Sequence, residues 1–350
     1  MPFRSANPML DASVIICTHN PRTDYLARVL DSLRNQTLSL DKWELLIVDN
    51  ASRVALASRW DISWHPAARH IFESKLGLSW ARRRGTQEAS ADLIIFVDDD
   101  NVLNETYLAE AIKIKQERPS LGVWGAGCIR GDFEVEPQEK LQSWLPVREV
   151  TAPRWSNLAG LHLLGESPEE AIPWGAGLCV RREVAIAYSQ FCDQSWIDIT
   201  DRQGASLVGG GDTEISFICC SRGLGVGIFP ELKITHLIPQ HRVSEDYIVR
   251  FAEGTCLSNS LLRYKWQHII PQSPFSVKTL LSIFKTIVLF RGVDRDIRFA
   301  LVRGLVKAKR IIDMDLRKNN HKICGSAARV PAKAPVGAGR EASSPPVHPS

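Results

Sequence analysis

Asp98, Asp99 and Asp100 stand side by side and are followed by Asn101. Three adjacent carboxylates repel one another, and a divalent metal with oxygen ligands is the usual way to offset that charge. In extended backbone, residues i and i+2 point the same way. Asp98 and Asp100 are therefore expected to share a crevice, with Asp99 turned aside to make structural hydrogen bonds. A plainer reading is an acidic turn in which Asn101 or Asn104 caps a following helix. Asp212 and Glu214 follow three glycines, Gly209 to Gly211. A carboxylate there, at the start of a helical pattern, is kept ionised by the helix dipole and can act as a general base, or it can cap the helix. Glu214, one turn in, can orient an acceptor or bond the backbone. Asp49 can accept a hydrogen bond from a uracil-like imide or simply close a turn. His236 can bind metal or be structural. Arg82 opens the run Arg82-Arg83-Arg84, whose members diverge by about 100° each on a helix, so the three cannot share one ligand. Trp174, ahead of Gly175-Ala176-Gly177, can stack on a sugar ring or pack in the core.

These residues sit at the ends of apolar runs. Ser13–Cys17, Trp43–Val48 and Leu93–Val97 read as strands buried on both faces. Leu26, Val29, Leu30 and Leu33 give residues 24–36 a helical face, and a short helix near 78–89 precedes the third strand. This β-α-β alternation implies a mostly parallel sheet covered by helices. Right-handed crossovers bring the strand ends to one edge, where Thr18, Asn20, Asp49 and the aspartates line a common crevice. Helices are also expected over about 212–222 and 245–268, with a strand between them.

Six segments, in order, resemble the family 2 glycosyltransferases with a GT-A fold, over roughly residues 12–250. They are Thr18-His19-Asn20, Val48-Asp49-Asn50-Ala51-Ser52, Gly77 to Gly85, Phe96-Val97-Asp98-Asp99-Asp100, Gly210-Gly211-Asp212-Thr213-Glu214, and Phe229-Pro230-Glu231 followed by Thr235-His236. The resemblance implies an α/β GT-A nucleotide-diphospho-sugar transferase fold, with a mostly parallel central sheet flanked by helices and a C-terminal helical extension. It implies donor contacts from Thr18, Asn20, Asp49, Arg82 and Asp98, and Asp212 as the catalytic base. A Mn²⁺ or Mg²⁺ ion would be held by Asp100 with Asp98 and His236. Glu214 and Trp174 are expected on the acceptor side. The expected reaction moves a sugar from a nucleotide-diphosphate sugar, first of all a UDP-sugar, to a hydroxyl of a glycan or lipid-linked acceptor, in surface polysaccharide or glycolipid synthesis. One base without a nucleophile partner implies single displacement with inversion. Two positions depart from the family: Gly211 replaces an acidic residue, and Arg83 an asparagine. They support a second reading, a catalytically impaired relative that binds nucleotide sugar as a partner or scaffold. A nucleotidyltransferase would need a glycine- and lysine-rich first loop, which the chain lacks.

Composition is ordinary for a globular protein, with 44% hydrophobic and 23% charged residues. The eight cysteines form no CxxC pair, and several that sit in apolar stretches read as buried free thiols. With no signal pattern or membrane-spanning run, the expected location is cytoplasmic, with peripheral attachment to the inner face of a membrane. The formal charge of +4 is unevenly spread: residues 276–320 carry 11 Lys and Arg against 4 Asp, residues 321–350 add +3, and 1–275 are left at −6. Val277, Leu280, Leu281, Phe284, Ile287 and Val288 follow one helical face, with Lys278, Ser282 and Lys285 opposite. Ile297, Leu301, Leu305, Ala308 and Ile312 form a second face among Arg298, Arg303, Lys307 and Arg310. Such helices either lie on an anionic membrane or pack on the catalytic domain. No motif or aromatic interleaving suggests nucleic acid. The expected organisation is a catalytic domain over 1–270 (donor half about 12–115, acceptor half 116–250), basic amphipathic helices over 271–324, and a disordered tail over 325–350.

Overall fold

The computed structural model describes residues 10–156, 171–194, 209–272 and 276–327. The expected disorder of the tail, and the part of the acceptor half in residues 157–170 and 195–208, fall largely outside the described residues.

Ten strands form one sheet. They are β1 (Ala12–Thr18), β2 (Trp43–Asn50), β3 (Ala68–Glu73), β4 (Leu93–Val97), β5 (Asn101–Leu103), β6 (Leu121–Phe133), β7 (Arg148–Glu149), β8 (Arg154–Ser156), β9 (Leu178–Arg181) and β10 (Gly225–Ile238). The order is β3-β2-β1-β4-β9-β6-β10-β5, with β7 beside β6 and β8 beside β10. β3, β2, β1 and β4 are mutually parallel, and β6 is parallel to β10. β9 runs antiparallel to both β4 and β6. All six longer-range partners β3, β2, β1, β4, β6 and β10 therefore point one way, and their C-terminal ends share one edge.

Alternating residues split the core into two layers. Ile15, Leu46, Ile94 and Phe96 face one side, with Ile215, Phe217 and Ile218 of α5 (Gly211–Ser221) and Leu261 of α6 (Glu245–Gln267). Val14, Ile16, Leu45, Ile47, Ile95 and Val97 face the other, with Leu26, Val29 and Leu33 of α1 (Thr23–Arg34) and Leu108, Ala111 and Ile112 of α3 (Tyr107–Glu117). The remaining helices are α2 (Leu78–Glu88), α4 (Arg182–Gln194), α7 (Val277–Leu289) and α8 (Gly292–Ala327).

Two strands differ from the sequence expectation. β3 comes before the run at 93–97; as an edge strand it is only partly buried and lacks a continuous apolar signature. Asn101 does not cap a helix. It lies in β5, pairing opposite His236 of β10, and α3 starts at Tyr107 after Thr106.

The two C-terminal amphipathic faces have different fates. On α8, Val293, Ile297, Ala300, Ala308 and Ile312 are buried. A side chain at Gly304 would run into the Glu253 carbonyl of α6 at 2.7 Å, so that glycine permits close helix approach. Arg303 and Lys307 both pair with Glu253. α8 is thus packed on the domain rather than free for a membrane. On α7, Val277, Leu281, Phe284, Ile287 and Val288 are exposed. Placement of the Lys278, Leu280 and Ser282 side chains lies outside the described residues.

Candidate active site

The site is built where the parallel strands end. Register sets Thr18 beside Asp49 and Ile16 beside Val97, so the turns after β1, β2 and β4 are neighbours. β9 enters at the same edge, because Leu178 pairs with Phe96. The segment Trp174–Gly177 just before it therefore overhangs the aspartates.

The triplet does not continue the strand. β4 ends at Val97, and the Asp98 carbonyl accepts the Asn101 amide at 3.2 Å, closing a turn. The expected i, i+2 alignment of Asp98 and Asp100 is replaced by three separate attachments. Asp98, half-exposed, has Oδ1 4.0 Å from Nη2 of the buried Arg82. Asp99 accepts a hydrogen bond from the Thr18 hydroxyl, tying β4 to β1. Burial, and then the charge of Asp100, push Asp99 up to about 7. Asp100 is 8% exposed. Its Oδ2 takes Arg242 Nη1 at 2.7 Å and lies 3.6 Å from His236 Nε2, while its Oδ1 takes Asn101 Nδ2 at 2.7 Å. Burial would raise this carboxyl, but the neighbouring His236 ring and the Arg242 guanidinium outweigh it and hold it low.

Asp98 and Asp100 still meet through one group: Asn101 Nδ2 also lies 3.4 Å from Asp98 Oδ2. Asn101 Oδ1 is buried with no hydrogen-bond partner. Two carboxylates, an imidazole and an unsatisfied amide oxygen form a donor set that fits Mn²⁺ or Mg²⁺. Among the described residues no three His, Cys, Asp or Glu side chains are grouped closely enough to hold an ion by themselves. The other ligands would have to come from phosphate oxygens and water, as is usual for Mg²⁺ at nucleotide sites.

Asp212 approaches from the opposite wall. α5 begins at Gly211, and Gly210 before it takes φ 138°, a left-handed value that favours glycine. Asp212 is therefore in the first turn and is not the cap. Its Oδ2 accepts the Gly175 amide at 2.7 Å, and its Oδ1 the Thr213 amide at 2.8 Å. A Cβ placed on Gly175 would stand 3.0 Å from Arg82 Nη2 and 3.4 Å from Asp212 Oδ2. One backbone position thus touches both the Arg82–Asp98 side and the Asp212 side. Next to it, Arg148 stacks over the exposed Trp174 ring at 3.8 Å. Burial and the charge of Arg154, opposed by Asp212, lower the Arg148 guanidinium to about 10, so it stays charged.

Other expected site residues are engaged in building the scaffold. Asp49 is buried, and its oxygens accept the Ser52 amide at 2.9 Å and the Leu56 amide at 3.0 Å. Asn20, at φ 49°, donates its amide to Ser52 Oγ and accepts the Arg53 amide, which joins the first two loops. Glu214 is buried in the α5–α6 contact, 2.6 Å from Lys265 Nζ and 3.3 Å from Trp266 Nε1. That burial places it among helix contacts, not on an open acceptor surface. Two residues escaped sequence reasoning, Arg148 and Arg242. The available signal for Arg242 was its position six residues after His236, beyond the turn that Pro239 begins.

One solved structure shares this architecture. Among solved structures, a mannosyltransferase from Pyrobaculum calidifontis, in complex with GDP-Man and Mn²⁺, matches at TM-score 0.55 and 17% identity over 88% of this chain and 90% of that one. S. aureus TarS (residues 1–349) matches at TM-score 0.44 and 15% identity, over 87% and 91%. No curated protein sequence matches. Residues 13–178 match the model of glycosyl transferase family 2. Over that segment the chain is similar to glycosyl transferase family 2, within the GT-A fold that the described residues adopt.

Proposed function

We propose that this glycosyltransferase moves a sugar from a nucleotide-diphosphate sugar to a hydroxyl acceptor by single displacement with inversion. The observation that carries the reading is the meeting at Gly175. There, Asp212 and the Arg82–Asp98 pair approach one short backbone segment from two sides. Asp212 accepts two amide hydrogen bonds and sits in the first turn of α5, so its carboxyl group is held in place beside Gly175. It removes the proton from the attacking hydroxyl as the anomeric bond breaks. Arg82 and Asp98 orient the donor, and Trp174 with Arg148 across its face forms the acceptor wall. When bound beside Asp100, Asp98 and His236, a divalent ion would neutralise the departing diphosphate as a Lewis acid. Arg242 then has the diphosphate as its natural new partner. Glu214 and Lys265 hold α5, and hence Asp212, in place.

UDP- and GDP-sugars are the donors to try first, and a glycan or lipid-linked saccharide is the acceptor class. The deciding experiment measures nucleotide release from a panel of such sugars with Mn²⁺. Asp212→Asn is expected to lower release by about 10²–10⁴-fold while donor binding by thermal shift persists. Donor binding with no release from the unaltered chain would instead support a nucleotide-sugar-binding relative, the reading that Gly211 and Arg83 suggest. No stabilisation by any nucleotide sugar would remove both.

A further inference from the structure

We propose that α7 is an interfacial helix that lays its apolar face onto an anionic lipid surface. Its outward side carries Val277, Leu281, Phe284 and Val288, spaced at i, i+4, i+7 and i+11, a single stripe on an α-helix. These side chains are 72%, 54%, 64% and 53% exposed, and Ile287 at 52% widens the stripe. Thr286, about 180° from the stripe at 100° per residue, is buried. Thr286 therefore faces the body of the protein while the apolar stripe faces outward, the reverse of a helix whose apolar stripe serves the core.

The mounting is firm. α8 follows after a two-residue link and is fixed on α6 by Val293, Ile297 and Ala300. Arg298 lies 3.5 Å over the Phe290 ring at the end of α7. The apolar stripe is thus displayed by a packed element.

Charge identifies the occupant. α7 contains no acidic residue, Lys285 flanks the stripe and Arg291 follows it, both exposed. Residues 276–320 carry +7 in all. A second copy of this chain would bring the same positive segment face to face with itself, and the two would repel. An anionic membrane attracts the basic residues and accepts the apolar ones. At 13 residues α7 is too short to cross, and no described helix is long and apolar enough to do so. It can lie on a bilayer, not span it.

The proposal does not depend on the transferase reading. The test is co-sedimentation of the full chain with phosphatidylcholine vesicles, with and without phosphatidylglycerol. The chain is expected to pellet with the anionic vesicles and to be released by salt. Leu281→Ser/Phe284→Ser/Val288→Ser is expected to reduce binding by about tenfold or more, and Lys285→Glu/Arg291→Glu to act similarly without touching the stripe. These positions are exposed, so both variants should keep the thermal midpoint of the unaltered chain. Equal binding to neutral vesicles, binding unaffected by either variant, or no binding would overturn the proposal. So would a dimer in sedimentation velocity that the triple variant dissolves, since a second copy would then cover the face.

Discussion

Arg242 Nη1 lies 2.7 Å from Asp100 Oδ2, across 142 residues of sequence. The most buried carboxylate of the acidic triplet is therefore already balanced by a cation of the chain itself. A metal that binds Asp100 has to replace that guanidinium. Arg242→Ala is accordingly expected to tighten binding of Mn²⁺ alone by about tenfold, since a nearby positive charge is removed. Loss of the free-ion signal in electron paramagnetic resonance measures this. The same variant is expected to weaken nucleotide-diphosphate binding by about 10–100-fold, the worth of a charged hydrogen bond. Weaker Mn²⁺ binding in Arg242→Ala would show that the arginine supports the ion rather than yields to it.

Gly175 separates the two walls of the site. Gly175→Ala puts a methyl 3.0 Å from Arg82 Nη2 and 3.4 Å from Asp212 Oδ2. Turnover should fall by about tenfold or more from misplaced groups, with only a small change in thermal midpoint. Gly209→Ala, where nothing lies within 4 Å, is the matched control and should keep full turnover. Equal effects at the two positions would mean that the close contact at Gly175 has no catalytic consequence.

The pair Glu214–Lys265 is buried, at 2.6 Å. Lys265→Met leaves a carboxylate in the α5–α6 contact without that partner and is expected to cost about 3–5 kcal/mol in urea denaturation. Adding Glu214→Gln should return most of it, because the stranded charge is gone. If Glu214 only holds α5, acceptor KM in the double variant stays close to the unaltered value. A large rise in KM at recovered stability would assign Glu214 a direct acceptor contact.

A separate pH dependence comes from the start of β2, the end away from Asp49. His65 is buried, edge-on to Trp43 at a centroid distance of 4.2 Å. Burial lowers its pKa to about 4, against an opposing pull from Glu44. The unfolded chain then binds more protons between about pH 4 and 6.5, so stability rises with pH across that window and is lost on acidification. From pH 7 to pH 5 the loss from this group is about 2 kcal/mol. His65→Phe should flatten this part of the urea-derived stability profile; an unchanged slope would place the dependence elsewhere.

Much of this was legible in the chain because the central strands are buried on both faces. β1, β2 and β4 are continuous apolar runs, and their ends named Thr18, Asp49 and the aspartates as neighbours. β3 was hidden because an edge strand with Arg69, His70, Phe72 and Glu73 carries no such run. The three residues of β5 were too few to show a period, so Asn101 read as a cap. The division of labour within Asp98–Asp100 was invisible for another reason. It depends on partners from four distant segments, and no local pattern reports Arg82, Thr18, His236 and Arg242 arriving together. The burial of Glu214 was not legible either, because a helical position alone does not say which face a second helix will cover.

Strand β10 has a consequence of a different kind. Phe229 pairs with Ala126 and Lys233 with Cys128, so four steps on β10 match two on β6. The surplus is two residues, and alternation does not run straight through it: Phe229 and Ile234, five apart, reach the same core layer. Beyond the irregularity the new register sets Ile234 beside Leu103 and His236 beside Asn101. Residues 230–232 thus act as a spacer whose length decides which side chain of β10 arrives at the acidic turn.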